Sequence, residues 1–306
     1  MLHCIGGNLI LKLIVSDLDG TLLNRSREIS QENLAALHAA QENGIEIAIA
    51  SGRNYGNVLD LCRRADLKAH IISNNGSFVH DKEGKQLIAI GMDKQHMKTA
   101  LEWLDNHHYF YNISTDKEVF YPANVEEILL SDFQTAASIN ELITIDMVKE
   151  KINRIVSQEG ARFMENFAEI LDQNLTFGNI SSITFNKEKL SKGKEYFKDF
   201  QDLALTISGD DIFEMIPPSA SKGNALEILS KSLCIPLQEI MAVGDHYNDI
   251  SMLEKVGYSV AMGNAEEDVK KICKYITLAN DLNGVGYIIQ QTLNGTIAQS
   301  QIESNA

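Results

Sequence analysis

Asp17-Leu18-Asp19-Gly20-Thr21 sets two carboxylates two residues apart, directly after an apolar run at residues 9–16. At about 4 Å two such charges repel by roughly 4 kcal/mol at an effective dielectric near 20, so keeping both ionised calls for a cation between them. The donors are all oxygen, which points to magnesium, and Gly20 permits a sharp turn. A second acidic group, Val243-Gly244-Asp245-His246-Tyr247-Asn248-Asp249, offers Asp245 to complete the metal site, with Asp249 at the start of the helix expected next. Ser51-Gly52-Arg53 and Ser221-Lys222-Gly223 add a hydroxyl, backbone donors and a lysine. Helix capping is the ordinary work of an aspartate after a strand and would account for Asp17 or Asp249 alone. It does not require four such groups to fall on one predicted sheet edge.

Hydropathy periodicity supplies the elements that must position these groups. Residues 9–16 read as a buried central strand of a parallel sheet. Ser30 caps a helix with Leu34, Leu37 and Ala40 at helical spacing, and Gly44 closes it. Residues 45–50 and 70–73 are further strands, running into Ser51 and into Asn74-Asn75-Gly76. The alternation predicts an α/β sheet, which places ligands at the carboxyl ends of its strands. Beyond Gly76 the rhythm changes: residues 78–90 read as a hairpin turning at 81–84, and 109–121 as another around 114–117. Helical stretches at 94–106 and 187–200 lie among them. Parallel-sheet grammar then returns, with a helix at 221–233, a strand at 240–244, a helix at 249–256 and a strand at 258–262. The expectation is a Rossmann-like parallel-sheet core at 1–80 and 217–306, with an inserted α+β domain at 81–216 joined near 75–80 and 216–219. The tail from Asn294 is polar and expected to fray.

The chain has 306 residues, 44% of them hydrophobic, enough for two packed domains. With 27 basic and 42 acidic residues its net charge is −15, which disfavours nucleic acid and anionic membrane as partners. A phosphate-bearing ligand must therefore be met by a local site or a metal ion. Cys4, Cys62, Cys234 and Cys273 are widely spaced singletons, so neither a disulfide framework nor a zinc site is expected. The first apolar stretch lacks the features of a signal peptide, and no window approaches the roughly 20 apolar residues of a membrane helix. A cytoplasmic chain, monomeric or weakly dimeric, is the expectation.

In their order, DLDGT, SGR, SKG and GDHYND make the sequence similar to the haloacid dehalogenase-like hydrolase superfamily. The insertion between SGR and SKG, with the form GDxxND, resembles its Cof-type, capped subclass IIB members. That resemblance implies a magnesium-dependent phosphatase of small phosphorylated metabolites, with Asp17 as nucleophile and Asp19 as the acid and then the base. Magnesium would sit on the Asp17 carboxylate, the Asp19 backbone carbonyl and Asp245, with Asp249 orienting the shell. Ser51 and the Gly52 amide, at a helix start, would bind phosphate together with Asn248 and the Leu18 amide, and Lys222 would stabilise the phosphoryl group and keep Asp17 ionised. The inserted domain would act as a cap and supply the leaving-group pocket. A phosphomutase on the same core, and a non-catalytic phosphometabolite-binding protein, are the alternatives; two intact carboxylates argue against the second. Arg53 reads more readily as a structural helix residue than as a phosphate ligand, His246 as a solvated loop residue, and His107-His108 as a polar helix end. Asn74-Asn75-Gly76 is expected to turn the chain into the cap.

Overall fold

The structure is a computed structural model that describes residues 11–137, 144–156, 161–200, 202–207, 209 and 211–296. Its first part runs β1 (Leu13–Ser16), α1 (Gln31–Glu42), β2 (Glu46–Ala50), α2 (Tyr55–Arg64), β3 (His70–Ser73), β4 (Phe78–His80) and β5 (Gln86–Ala89). Every residue of β1 is buried, as in a parallel strand covered by helices on both faces. Ser30 does cap α1, its hydroxyl accepting from the Asn33 amide at 3.1 Å. The chain continues through α3 (Lys94–Asn106), β6 (Phe110–Thr115), β7 (Val119–Pro122), α4 (Val125–Ala137), α5 (Ile145–Val156), β8 (Ala161–Met164), α6 (Ala168–Leu171), β9 (Phe177–Ile183), α7 (Lys187–Phe197), β10 (Ala204–Thr206) and β11 (Ile212–Ile216). It ends with α8 (Lys222–Leu233), β12 (Ile240–Gly244), α9 (Ile250–Leu253), β13 (Tyr258–Ala261), α10 (Glu267–Ile272), β14 (Tyr275–Ile276) and α11 (Gly284–Leu293).

Fourteen strands form two sheets among the described residues. The first has eight strands in the order β14-β13-β12-β1-β2-β3-β4-β5, parallel from β14 to β3. In it Ser16 pairs with Val243 on one side and Ile49 on the other, so the strand ends leading to Asp17, Asp245 and Ser51 lie side by side. The hairpin expected at 78–90 is present, its turn held by the Asp81 carboxylate accepting from the amides of Glu83 and Lys85. Its second strand was expected in the inserted segment; β5 instead pairs with β4 and ends the first sheet. A tight turn returns a strand alongside its own partner, so the crossing to the second sheet comes only after Ala89. The helix expected at 249–256 is also shorter: a tight turn at Tyr247–Asp249 precedes α9, and the Gly257 amide has already turned to the Leu237 carbonyl.

The second sheet has six strands in the order β10-β11-β9-β6-β7-β8, antiparallel except for β7 with β8. One face buries Tyr111, Ile113, Ile180, Phe213 and Met215 against the apolar stripes of α3 and α7. The other begins apolar, with Phe110 and Tyr121 under α4 and α5, and then turns polar. Register sets Asn112 opposite Ser181 and Ser181 opposite Glu214, which makes one polar row across three strands. No helix of the described residues is long and apolar enough to cross a membrane.

Candidate active site

Asp17 continues the ladder between β1 and β12, its amide donating to the Val243 carbonyl at 3.0 Å, and this fixes its carboxylate at the sheet's edge. The chain then turns at Gly20, whose φ is +82°; a Cβ there would lie 2.3 Å from Asp245 Oδ2. Only glycine lets this loop pass so close to that carboxylate. Lys222 opens α8, whose cap is the Ser221 hydroxyl accepting from the Asn224 amide at 3.0 Å. Its side chain is fully buried, and Nζ donates to Asp17 Oδ1 and to Asp249 Oδ1, each at 2.6 Å. Burial alone would lower the lysine's pKa; the two carboxylates outweigh it and raise it, so the ammonium stays protonated. Burial first, then Asp249 and Asp245, push Asp17 upward, with Lys222 opposing them.

Both oxygens of Asp249 are engaged, since Oδ2 accepts from the amides of Asp245 and His246 at 2.9 and 3.1 Å. Asp249 therefore does cap its turn, as an aspartate after a strand ordinarily would, and also anchors Lys222. Thr21 donates to Asp245 Oδ1 at 2.7 Å, and burial pushes the Asp245 carboxyl up to about 7. Asp17, Asp245 and Asp249 each offer an oxygen, all within 4.8 Å of one another. Three carboxylates against one ammonium leave two negative charges in excess when all are ionised. An all-oxygen set with that deficit fits a hard divalent cation. Asp19 joins this cluster with neither carboxylate oxygen: Arg53 holds both, Nε at 2.8 Å and a terminal nitrogen at 2.6 Å.

Across the edge stand the groups expected to meet phosphate. Ser51 and Gly52 do not open a helix as expected; Asn54 caps α2, and Ser51 accepts from the Arg53 amide at 3.1 Å in the loop before it. Asn248 donates to Asn75 Oδ1 at 3.0 Å, and Asn75 in turn donates to Glu214 Oε2 at 2.9 Å. Leu18 is buried in the first sheet's core, so only its main chain can face a ligand. Asp17, Asp19, Ser51, Gly52, Asp245 and Asn248 all line one cleft of about 850 Å³ between the two sheets, while Lys222 and Asp249 stand behind it, fully buried.

At Arg53 and His246 the structure differs from the sequence reading, which passed over Glu214, Asn179 and Ser181. Arg53 lies ahead of the helix and forks onto Asp19, a pairing that needs the loop geometry to be seen. His246 is half-buried rather than solvated, its Nδ1 3.1 Å from the Ile207 carbonyl of the inserted segment. Glu214, Asn179 and Ser181 form a buried knot, the Glu214 carboxylate accepting from both others at 2.9 Å. Their signal was polar residues set among apolar ones in strand-like segments, Asn179 and Ser181 in 177–183 and the lone Glu214 of the apolar run 212–216. His107 does end α3 as a polar residue, its Nδ1 2.8 Å from the Trp103 carbonyl.

This chain belongs to the haloacid dehalogenase-like hydrolases, whose family model matches residues 14–289. Within that family it is a phosphatase. It is 39% identical over 285 residues to the phosphatase YwpJ of Bacillus subtilis, covering 92% of this chain and 100% of that protein. To the 5-amino-6-(5-phospho-D-ribitylamino)uracil phosphatase YwtE of the same organism it is 33% identical over 288 residues, covering 94% and 100%. Among solved structures, a haloacid dehalogenase-like hydrolase from B. subtilis superposes with a TM-score of 0.80 at 39% identity, covering 92% of this chain and 99% of that one.

Proposed function

We propose that this phosphatase is magnesium-dependent, works through an aspartyl-phosphate on Asp17, and takes small metabolites whose leaving groups carry hydroxyls. The observation that carries the reading is the division of Asp17: Lys222 holds one oxygen from behind, and the carboxylate lines the cleft. An oxygen so fixed is aimed along one line of attack. Asp17 and Asp245, with the Asp19 backbone carbonyl, would hold magnesium, which supplies charge neutralisation of the phosphoryl group when bound. Asp249 would orient that set through Lys222 and the two amides it accepts from.

In the first step the free oxygen of Asp17 bonds to phosphorus as the ester P–O bond breaks, and the leaving oxygen takes a proton from Asp19. In the second, water bonds to phosphorus, gives its proton to Asp19, and the Asp17–phosphorus linkage breaks to release phosphate. Arg53 forks onto Asp19 before substrate arrives. An entering phosphate dianion competes for that guanidinium and frees Asp19 to carry the proton. Ser51, the Gly52 amide and Asn248 would take the phosphate oxygens. The row Asn112, Ser181 and Glu214 supports the leaving-group assignment, because hydroxyls satisfy such donors and acceptors where an apolar group would strand them. The two sheets would act as core and cap, joined after Ala89 and again after Ile216. The substrate in YwtE's name carries a phosphorylated ribityl arm, a polyol, which agrees with this reading.

Phosphate release over a metabolite panel, before and after chelation, tests it. Activity lost on chelation and restored by magnesium is expected, with labelled phosphate trapped on Asp17 in Asp19→Asn. Full turnover without any divalent ion would overturn the metal assignment.

A further inference from the structure

Arg27, Arg53, Arg63, Arg64, Lys151 and Arg154 all line the cleft, in a chain whose net charge is −15. Most have an evident partner. Arg53 is forked on Asp19, Arg64 reaches Asp60 at 3.2 Å, and Lys151 is paired with Asp211. Arg63 sits in the last turn of α2, where the helix's carbonyl end favours a cation. The cleft's acids are also engaged, Glu214 by three neutral donors and Asp245 by Thr21.

Two guanidiniums are left over. Among the described residues Arg27 has no side-chain partner, and Arg154 has only the exposed Glu150 one turn away on its own helix, at 3.7 Å. Such an ion pair is loose and solvent-screened. Arg27 comes from the loop after β1, and Arg154 from α5 over the second sheet. Both line the one cleft, and burial first, then the positive charges of Arg27 and Arg53, push the Arg154 guanidinium below the ordinary arginine range against the pull of Glu150 and Asp211. Arg27 is held at φ 61° on a loop pinned by Arg25, whose amide donates to Asp281 at 2.9 Å and whose guanidinium meets the same carboxylate at 2.6 Å. Two guanidiniums that enter one cleft from separate elements, neither held by a firm carboxylate partner, await an anion.

We propose that Arg27 and Arg154 form a second anion site, so that the substrate is a phosphomonoester bearing a further phosphate or carboxylate on its leaving group. This rests on the phosphatase reading of Asp17 for the orientation of the substrate. The first phosphate lies at Asp17 and the second anion bridges the two guanidiniums, which closes the cleft around the molecule from both sheets.

Calorimetric binding to the Asp17→Asn variant with magnesium present separates the two readings, because it needs no turnover. Fructose bisphosphate is expected to bind about tenfold or more tightly than fructose monophosphate, the scale of one charge-assisted bidentate contact. Adding Arg27→Gln and Arg154→Gln should erase that preference, and Arg154→Lys should restore part of it. Phosphogluconate in the same titration tells a carboxylate from a phosphate as the second anion. Equal binding of bisphosphate and monophosphate, or a preference that survives loss of both arginines, would overturn the proposal. Preference without any hydrolysis by the wild type would instead sink the phosphatase reading and leave the anion site standing. Repeating the titration on metal-chelated wild type guards against a misfolded variant, and the same preference is expected there.

Discussion

The carboxyl edge of the eight-stranded sheet and the open face of the six-stranded sheet look into the same cleft with opposite chemistry. The edge is dense in charge: Asp17, Asp245 and Asp249 crowd around Lys222, and Arg53 grips Asp19. The strands β6, β9 and β11 of the face set Asn112, Ser114 and Ser181 around one carboxylate, Glu214, that takes only neutral donors, with the charges of Lys151 and Arg154 standing apart on α5. Buried charge is costly and strongly directional, which suits it to a reaction that always moves the same phosphoryl group. Neutral hydrogen bonds are worth about 1 kcal/mol each when made and cost more when stranded, which suits them to telling one leaving group from another. Reaction and selectivity are thus divided between two sheets.

The sharpest way to break that division is Asp17→Asn. The amide has nearly the shape of the carboxylate but is far too weak a nucleophile, so turnover should fall on the order of 10⁴-fold or more for every substrate alike. Phosphate release together with an unchanged circular dichroism spectrum checks it. Turnover within tenfold of wild type would remove Asp17 from the reaction.

Asp19→Asn should cost about 10²–10⁴-fold, the usual worth of a general acid or base. The loss should be smallest for an aryl phosphate whose phenol leaves without a proton. It also strips Arg53 of its partner, so the variant's affinity for inorganic phosphate should rise. Equal losses on aryl and alkyl phosphates would show that proton transfer is not what Asp19 contributes.

How legible each region was follows from the same contrast. Apart from the Arg53 fork on Asp19, the charged edge was legible in short local motifs, because each falls within a few residues of a strand's end, and a parallel sheet brings strand ends together whatever their order. The expected hairpin at 78–90 was right in its turn and misplaced in its sheet, because pairing is a long-range property that a turn does not encode. Ser51 was placed at a helix start because Asn54, three residues on, is an equally good cap. Asn112, Ser181 and Glu214 were missed for a stronger reason. They are more than thirty residues apart in sequence, and only the register of β6, β9 and β11 makes them neighbours.

Glu214→Gln tests the neutral face directly. Its carboxylate accepts from Asn75, Asn179 and Ser181, and an amide turns one of those contacts into donor against donor. Leaving one buried group unsatisfied costs about 1–3 kcal/mol, which urea unfolding should detect. The ratio of kcat/KM between a sugar phosphate and acetyl phosphate should shift by about tenfold, the equivalent of roughly 1.4 kcal/mol. If all substrates decline in equal proportion, the row is structural and selectivity lies elsewhere.

The smallest effect concerns the seam where the first sheet gives way to the second. His70 on β3 accepts the Lys82 amide on Nδ1 at 3.2 Å and turns Nε2 to Glu46 at 3.3 Å. His80 on β4 stacks on Tyr55 with ring centroids 3.7 Å apart. Burial lowers the pKa of both rings from the ordinary 6.5, against the pull of Glu46 on His70 and of Asp81 on His80. A depressed histidine means that the unfolded chain takes a proton first as pH falls. The stability these rings contribute is therefore complete above about pH 6.5 and is lost as pH drops below it toward their folded values. The drop should be about 1 kcal/mol, a few degrees in Tm for a chain of this size. His70→Gln with His80→Phe should flatten the slope of Tm between about pH 7 and pH 5, while relative activity across substrates stays as in wild type, because neither ring lines the cleft. An undiminished slope would place the acid sensitivity in the charged edge, and selectivity moving along with it would mean that the seam couples the two sheets rather than merely joining them.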